Sequence, residues 1–414
     1  MKQMIVHIEP KLTQMALLEE GKLVEFAAER SQGHSLVGSF YKGRVVNVLP
    51  GMQAAFVDIG QKKNAFLYVD DVLHPHLEKQ PKDKPNIESL LRVGQEIVVQ
   101  VMKEPLGGKG PRVTTHYSLP GRWIVYMPHA DYVAVSKKVY REHDRNRLKV
   151  LGDSLRRSGE GVIMRTVSED EHPDAIEGDL NALRERWLSI QEKADACAAP
   201  CLLHRDLSIV QRFIRDVFDP EQDELWIDSR PEAREAELFL EEIAHGGHRP
   251  VRMHQGHEHI FRAHGVQEQL ERDFARRVTL ESGGTIVLDQ TEALTVVDVN
   301  TAKYTGGGNL EETVTKTNLQ AAEEIARLIR LRDIGGIIIV DFIDMEEEKN
   351  RQEVVNRLEA GMSRDRTKSH VVGWSKLGLL ELTRKKVRED TAVMFSKSCE
   401  VCGGTGKINL LSAH

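Results

Sequence analysis

The chain reads as a multidomain α+β protein, and three observations carry that reading. Its 414 residues exceed what one core holds and suit about 2–4 domains. Residues 38–115 divide into short β segments with glycine at the corners. Residues 283–345 then run strand, strand, helix, strand, the pattern of an α/β unit.

Composition narrows the class. Hydrophobic residues are 40% and charged residues 29%, as in an ordinary globular protein. No stretch reaches the ~20 apolar residues of a membrane span. The N-terminus enters a strand with no signal peptide, and four cysteines in so long a chain do not make a disulfide framework. A cytoplasmic protein is expected. The net charge of -7 argues weakly against nucleic acid, but charge is segregated. The acidic runs Glu169–Glu171, Asp219–Glu224 and Glu346–Glu348 lie apart from the basic Arg384–Lys386.

The elements follow in order. Residues 4–9 and 15–29 alternate as strands, with Gly21-Lys22 as a hairpin turn. Gly38–Val48, Ala54–Ile59, Asn64–Tyr68, Glu96–Lys103 and Arg112–Thr115 predict a small closed barrel of the OB type, cornered by Gly43, Gly51, Gly60 and the Gly107–Gly110 loop. More strands follow over 119–175, then a helix over Asp179–Glu192. Leu207–Phe218 is helical, Leu225–Ile227 is a strand, and Pro231 opens a helix reaching about Ile243. Thr285–Leu288 and Leu294–Val299 are strands about a turn at Gln290–Glu292. Asn309–Leu331 is a long helix with Asn309 and Glu312 spaced as a capping box, ended by Gly335-Gly336. Ile337–Ile343 is apolar except for Asp341, which predicts a strand buried on both faces. Lys349–Met362 is a second helix.

The chemistry concentrates at strand ends. In a strand, residues two apart face the same way, so Asp298 and Asn300 project together. Asp341 closes the second apolar run, where an uncompensated carboxylate is costly to bury. If the two strands are neighbours, the three side chains meet where ligands of open α/β sheets gather. Two carboxylates and an amide carbonyl suit an octahedral Mg²⁺ and phosphoryl chemistry. The same residues would equally serve as an Asx turn and a loop cap. Asp344 alternates to the opposite face from Asp341 and reads as structural. The Lys303–Gly308 segment offers backbone N–H groups to phosphates at a helix start.

Two phenylalanines, Phe56 and Phe66, sit on neighbouring barrel strands among small residues. As exposed rings they would stack on bases at ~1–3 kcal/mol each; the alternative is that they fill the barrel core. Lys109 and Arg112 are placed to meet phosphates. Cys399 and Cys402 form a lone CxxC before a glycine-rich turn, half of a tetrahedral zinc site. Either the pair binds no metal or a second copy completes it. Cys197 and Cys201, spaced CxxxC, read as buried apolar residues, and the histidines from His245 to His264 lack the HExxH spacing and are assigned no site.

Together these features resemble the ribonuclease E/G family of bacterial endoribonucleases. The residues that carry the resemblance are Tyr41–Val45, Ala54–Asp58, Val297–Asn300, Gly336–Met345, Gly378–Glu381 and Cys399-x-x-Cys402, in the family's order. The resemblance implies a Mg²⁺-dependent endoribonuclease on single-stranded RNA, favouring a 5′-monophosphate and leaving 5′-phosphate and 3′-hydroxyl ends. Asp298, Asn300 and Asp341 match its catalytic residues, Asp298 and Asp341 holding Mg²⁺. Phe56, Phe66 and Lys109 match barrel residues that grip RNA. Gly121, Val125, Arg165 and Thr166 match a 5′-phosphate sensor, with Lys368 where an arginine is common; lysine keeps the charge but loses bidentate geometry.

Domains are implied too: a ribonuclease-H-like subdomain from 1–37 plus 207–275, the barrel over 38–118 and the sensor region over 119–206. A deoxyribonuclease-I-like catalytic subdomain then covers 276–395 and a zinc link 396–414. Cys399 and Cys402 from two chains would share one structural Zn²⁺, so a homodimer is expected. Glu400 replaces the usual proline, and the chain stops at His414 before the family's further small domain, which weakens the case for its tetramer. Two rival readings remain at this stage. One is a non-catalytic RNA-binding protein using the barrel. The other is a small-molecule metal phosphodiesterase, which leaves the barrel without purpose.

Overall fold

Period-2 alternation and glycine corners fold the first half of the chain into sheets, and helical periodicity takes over later. A computed structural model describes residues 1–30, 35–76, 79–105, 109–244, 247, 249–301, 310–386, 391, 395–397, 399–402 and 406. The chain divides into two units: 1–28, 222–233 and 250–414 make the first, and 29–221 with 234–249 the second.

The first unit opens with the meander β1 (Lys2–Glu9), β2 (Leu12–Glu19) and β3 (Lys22–Arg30). The hairpin turn falls one residue earlier than predicted, at Glu20 and Gly21, both at positive φ, and Lys22 already belongs to β3. The second unit follows with β4 (Phe40–Leu49), β5 (Ala54–Asp58), β6 (Ala65–Tyr68), α1 (Ile87–Leu90), β7 (Glu96–Lys103) and β8 (Arg112–Thr114). These five strands close into a barrel in the order β4-β5-β6-β8-β7, sealed by β4–β7 pairing. Its core is Val45, Ala55, Val57, Ala65, Leu67, Val99, Val101 and Val113.

Beyond the barrel come β9 (Leu119–Pro120), β10 (Ile124–Met127), β11 (Val133–Val135), α2 (Glu142–Leu155), β12 (Gly161–Met164) and α3 (Pro173–Ala196). The four strands form a sheet of their own, order β11-β12-β10-β9. Helix α3 is longer than predicted, because Pro173 starts it and the His172 side chain caps the Asp174 amide. Its apolar stripe, Ile176, Leu180, Leu183, Trp187 and Ile190, joins the core of that sheet. Then β13 (Cys201–His204) adds to the barrel strand β4, and α4 (Ile209–Asp216) starts with a Ser208–Gln211 capping box.

β14 (Glu224–Ile227), α5 (Arg230–Ile243), β15 (Arg252–Met253), α6 (Ile260–Ala263) and α7 (Val266–Asp273) come next. β14 pairs parallel with β1, giving the order β15-β14-β1-β2-β3. The segments on either side of the barrel and its neighbour sheet are thus one sheet.

The last sheet contains β16 (Arg277–Thr279), β17 (Thr285–Gln290), β18 (Leu294–Asn300), β19 (Gly336–Asp341), β20 (Ser369–Trp374) and β21 (Leu380–Arg384), in the order β16-β17-β18-β19-β21-β20. Helices α8 (Leu310–Leu331) and α9 (Glu348–Ser363) share its core. Ala321, Ile325, Leu328 and Ile329 of α8 are buried with Val297, Val299, Ile338 and Val340. Each Leu or Ile so buried contributes roughly 1.5–3 kcal/mol, so packing more than propensity holds α8.

Two expectations are corrected here. The Ile337–Ile343 run is not a strand buried on both faces. β19 ends at Asp341, and Ile337 is 50% exposed while Ile338 and Val340 are fully buried. Helices cover only one face, so a run of isoleucines reads as doubly buried when it is not. Nor do Gly335 and Gly336 end α8. Asp333 does, at φ 54, while Ile334 N–H reaches back to Ile329 C=O at 3.0 Å. Gly335 is small for another reason: a Cβ there would lie 2.8 Å from Lys386 Cα.

Candidate active site

Parallel pairing of β18 with β19 sets Val297 beside Val340 and Asp298 beside Asp341. The odd residues Thr295, Val297 and Val299 point into the core, so Asp298 and Asn300 emerge on the exposed face, as does Asp341. Asn300 Nδ2 donates to Asp298 Oδ2 at 2.7 Å, leaving the amide oxygen turned to other partners. The three residues predicted from spacing are therefore brought together, on the open face of a sheet whose other face is core.

The electrostatics suit a cation. The Asp341 carboxyl is raised above its ordinary value, first by burial and then by the charges of Asp298 and Asp344. A divalent ion would relieve that crowding. Two carboxylates and an amide are the donors of a hard ion that keeps several waters, which fits Mg²⁺. Among the described residues no group of three or more His, Cys, Asp or Glu side chains is poised to hold a metal. The expectation for Asp344 needs correcting. Because the strand stops at Asp341, alternation does not carry past it, and Asp344 is exposed and near enough to load Asp341 with charge. Lys303–Gly308 and the capping residue Asn309 lie outside the described residues.

One residue of α8 fixes this corner and escaped sequence reading. Asn318 is fully buried. Its Oδ1 accepts the Ile343 N–H at 3.1 Å and its Nδ2 donates to the Ile343 carbonyl at 2.8 Å. The signal was available: an asparagine in the apolar stripe of a helix needs partners.

On the barrel, Phe56 and Phe66 are direct cross-strand partners, with ring centroids 5.9 Å apart and planes at 72°. Both are only partly buried and stand apart from the barrel's buried cluster, so the core-filling alternative fails. Arg112 follows Phe66 in register on β8, with Lys103 beyond it on β7. The Arg112 guanidinium is held by Asp71 through Nε at 3.1 Å and Nη2 at 2.7 Å. Lys109 is exposed; Gly107 and Gly108 of its loop lie outside the described residues.

Gly121, Val125, Arg165 and Thr166 converge around β10. The Arg165 amide donates to Trp123 C=O at 2.9 Å, and its guanidinium reaches Gly121 C=O and Asp216 Oδ1, the latter at 2.7 Å. Thr166 Oγ1 pairs with Ser136 Oγ at 2.9 Å, and Val125 sits opposite Ile163. Asp179 of α3 accepts the Trp123 and Ile124 amides at 2.8 and 3.3 Å. Burial raises its carboxyl, against the pull of those amides and Arg165. Gly121 is required there, since a Cβ would lie 2.3 Å from Asp179 Oδ1. Asp179 and Asp216 are further residues that spacing did not single out. Lys368 belongs to the other unit, just before β20, and its carbonyl accepts the Lys385 amide at 2.9 Å.

Cys399 is exposed and Cys402 partly so. The Gly406 N–H approaches Cys402 Sγ at 3.3 Å, and the Cys402 and Val401 amides lower the Cys399 thiol. Thiolates cradled by backbone amides fit one half of a Cys₄ zinc site; Gly403–Thr405 lie outside the described residues. Of the histidine run, His245 and His248 also lie outside. His259 Nε2 meets His7 Nε2 at 3.2 Å, and His254 Nε2 meets Glu258 C=O at 2.7 Å.

An α+β chain with a small closed barrel and a paired-carboxylate face is what these residues define. Comparison with known proteins is specific. Residues 118–387 match the description "Ribonuclease E/G family". The chain is 39% identical to Ribonuclease G of Salmonella typhimurium (strain SL1344) over 413 residues, 98% of this chain and 84% of that one. It is 40% identical to Ribonuclease G of Escherichia coli (strain K12), with the same coverage. It is 36% identical to Ribonuclease E of Nostoc sp. over 410 residues, 98% of this chain and 58% of that one. The chain belongs to the ribonuclease E/G family. As a member it is an endoribonuclease, a hydrolase acting on RNA. Among the described residues no helix is long and apolar enough to cross a membrane.

Proposed function

We propose that this endoribonuclease of RNA processing and decay cleaves single-stranded RNA with Mg²⁺ at Asp298, Asn300 and Asp341. It leaves 5′-phosphate and 3′-hydroxyl ends, prefers 5′-monophosphorylated RNA, and works in the cytoplasm on substrates that include ribosomal RNA precursors. The in-register placement of Asp298 beside Asp341 on an exposed face supports this most. Those two carboxylates would hold the ion, and Asn300 braces Asp298 through its 2.7 Å bond. When bound, Mg²⁺ supplies a Lewis acid and lowers the pKa of water.

The protein's own groups place the RNA. The edge-to-face pair Phe56 and Phe66 offers stacking surface, Arg112 offers positive charge beside Phe66 in register, and the exposed Lys109 would add more. A 5′-monophosphate would compete with Asp216 for the Arg165 guanidinium and take the Thr166 hydroxyl, within walls made by Gly121 and Val125. A triphosphate brings more charge and bulk than a monophosphate to the same groups.

Asp298→Asn and Asp341→Asn are each expected to slow cleavage of a 5′-monophosphorylated single-stranded RNA ~100-fold or more, about 2.7 kcal/mol of transition-state stabilisation. Near-normal cleavage by either variant would falsify the assignment. RNA binding that survives both changes is expected, because the barrel is separate.

Cys399 and Cys402 from two chains would share one structural Zn²⁺ and make a homodimer. Cys399→Ser should halve the mass in solution and release the zinc. A variant that stays dimeric and zinc-loaded sinks the shared site.

A further inference from the structure

One member of the histidine run meets a histidine of β1, away from the carboxylate face and the barrel. We propose that His7 and His259 form a one-proton latch, which holds the start of α6 against β1 while both rings are neutral and releases it when a proton is added. His7 lies on β1, Asp228 follows β14, and His259 immediately precedes α6. All three belong to the first unit.

Hydrogen bonding fixes where the two ring protons sit. Asp228 Oδ2 lies 2.5 Å from His7 Nδ1, and Asp228 Oδ1 accepts the Ile8 N–H at 2.9 Å. A carboxylate only accepts, so His7 carries its proton on Nδ1 and keeps a lone pair on Nε2. His259 caps α6: its Nδ1 accepts the Phe261 N–H at 3.2 Å, so its own proton sits on Nε2. The two Nε2 atoms are 3.2 Å apart, and His259 therefore donates to His7. Each ring nitrogen of the neutral pair then has a partner that suits it. A metal ion between the two Nε2 atoms would instead put the His259 proton on Nδ1, against the Phe261 N–H. The pair is built for a proton.

An added proton breaks this arrangement wherever it goes. On His259 Nδ1 it would face the Phe261 N–H and undo the cap. On His7 Nε2 it would face the His259 N–H. Glu9 decides between the two, because its Oε1 lies 3.3 Å from His7 Nε2. A protonated His7 would bridge Asp228 and Glu9, and His259 would turn away and leave α6 uncapped. The charged groups facing the pair are Asp228, Glu9 and Arg262. Burial, and then the neighbouring His7, lower the His259 imidazole. A histidine lowered in this way stabilises the fold above its unfolded value of about 6.5, and that contribution is lost as pH falls from there towards the folded value. Ile260 and Phe261 of α6 are 1% and 2% exposed, in the core that also holds Val297 and Val340. The latch thus closes on the core beneath the carboxylate face.

Amide hydrogen exchange of residues 260–266 in the full chain reads the latch, followed between about pH 8 and about pH 5 and corrected for the intrinsic exchange rate. Protection there should fall about tenfold across the range, the equivalent of one pKa unit. His259→Asn keeps a capping oxygen without the ring, so its protection should not change with pH. Glu9→Ala removes the partner of the protonated His7 from an exposed position, and the loss of protection should move to lower pH. Protection that is flat with pH in the unmodified protein would overturn the latch, as would a pH dependence that survives in folded His259→Asn. Should His259→Asn not fold, Glu9→Ala decides, and an unshifted loss of protection overturns the latch.

Discussion

Asn318 grips both the amide and the carbonyl of Ile343, at 3.1 and 2.8 Å, from inside the core. Ile343 lies two residues beyond Asp341, where β19 has already ended, so no strand pairing holds the chain there. The side chain of one buried helix residue replaces the sheet ladder and sets the path from Asp341 to Asp344. Asn318→Ala would leave two backbone groups without partners, at a cost of about 2 kcal/mol. We expect a denaturation midpoint lowered accordingly. Cleavage should lose more in kcat than in KM, since the carboxylate is displaced while the barrel still binds RNA. Unchanged kinetics in a folded Asn318→Ala enzyme would show that the corner is held by something else.

Asp344 should contribute to the acid limb of the pH profile, behind burial and Asp298. Burial and the neighbouring charges of Asp298 and Asp344 raise the Asp341 carboxyl. A raised folded pKa contributes stability below the unfolded value, and that contribution is lost as pH rises through the folded value. Cleavage needs the ionised form, so activity should fall on acidification sooner than for an ordinary aspartate. Asp344→Asn removes one of the two like charges. The acid limb of kcat/KM should then move to lower pH with the neutral plateau kept. A plateau that collapses instead would make Asp344 a ligand in its own right.

Period and spacing carried most of the site. Residues two apart on β18 had to share a face, and they do; that the apolar run ending at Asp341 is the neighbouring strand was a condition that the parallel pairing meets. The five barrel strands were legible largely from glycines between them such as Gly51 and Gly60, although Gly43, expected at a corner, lies inside β4 where a Cβ would fall 2.5 Å from a Val57 methyl. What sequence could not supply was which face of a sheet receives helices, and so Ile337 was misjudged as buried. Local alternation also fails once a strand stops, so it does not extend to Asp344, three residues beyond the end of β19. Asp179 and Asp216 act through contacts 51 to 56 residues distant in sequence, beyond any motif, whereas Asn318 was marked only by its place in an apolar stripe.

The aromatic pair on the barrel should be separable from folding. Phe56 and Phe66 touch each other but lie outside the buried core. Phe56→Ala and Phe66→Ala should each weaken single-stranded RNA binding by about 1–3 kcal/mol. Thermal stability should change little. Because the rings contact edge to face at 5.9 Å, the double variant should lose less than the sum of the singles. Equal RNA affinity in a folded double variant would move the binding surface elsewhere.

Gly121→Ala tests the 5′-end preference through packing. The new methyl would fall 2.3 Å from Asp179 Oδ1, inside contact distance. Asp179 cannot retreat without dropping the Trp123 and Ile124 amides that it holds at 2.8 and 3.3 Å. The strain should cost about 1–3 kcal/mol, as overpacking of a tight site does. It also shifts the turn whose carbonyl holds the Arg165 guanidinium. Cleavage of 5′-monophosphorylated RNA should therefore fall towards the rate on 5′-triphosphorylated RNA, with the latter unchanged. A variant that keeps the full ratio between the two substrates would exclude this turn from 5′-end recognition.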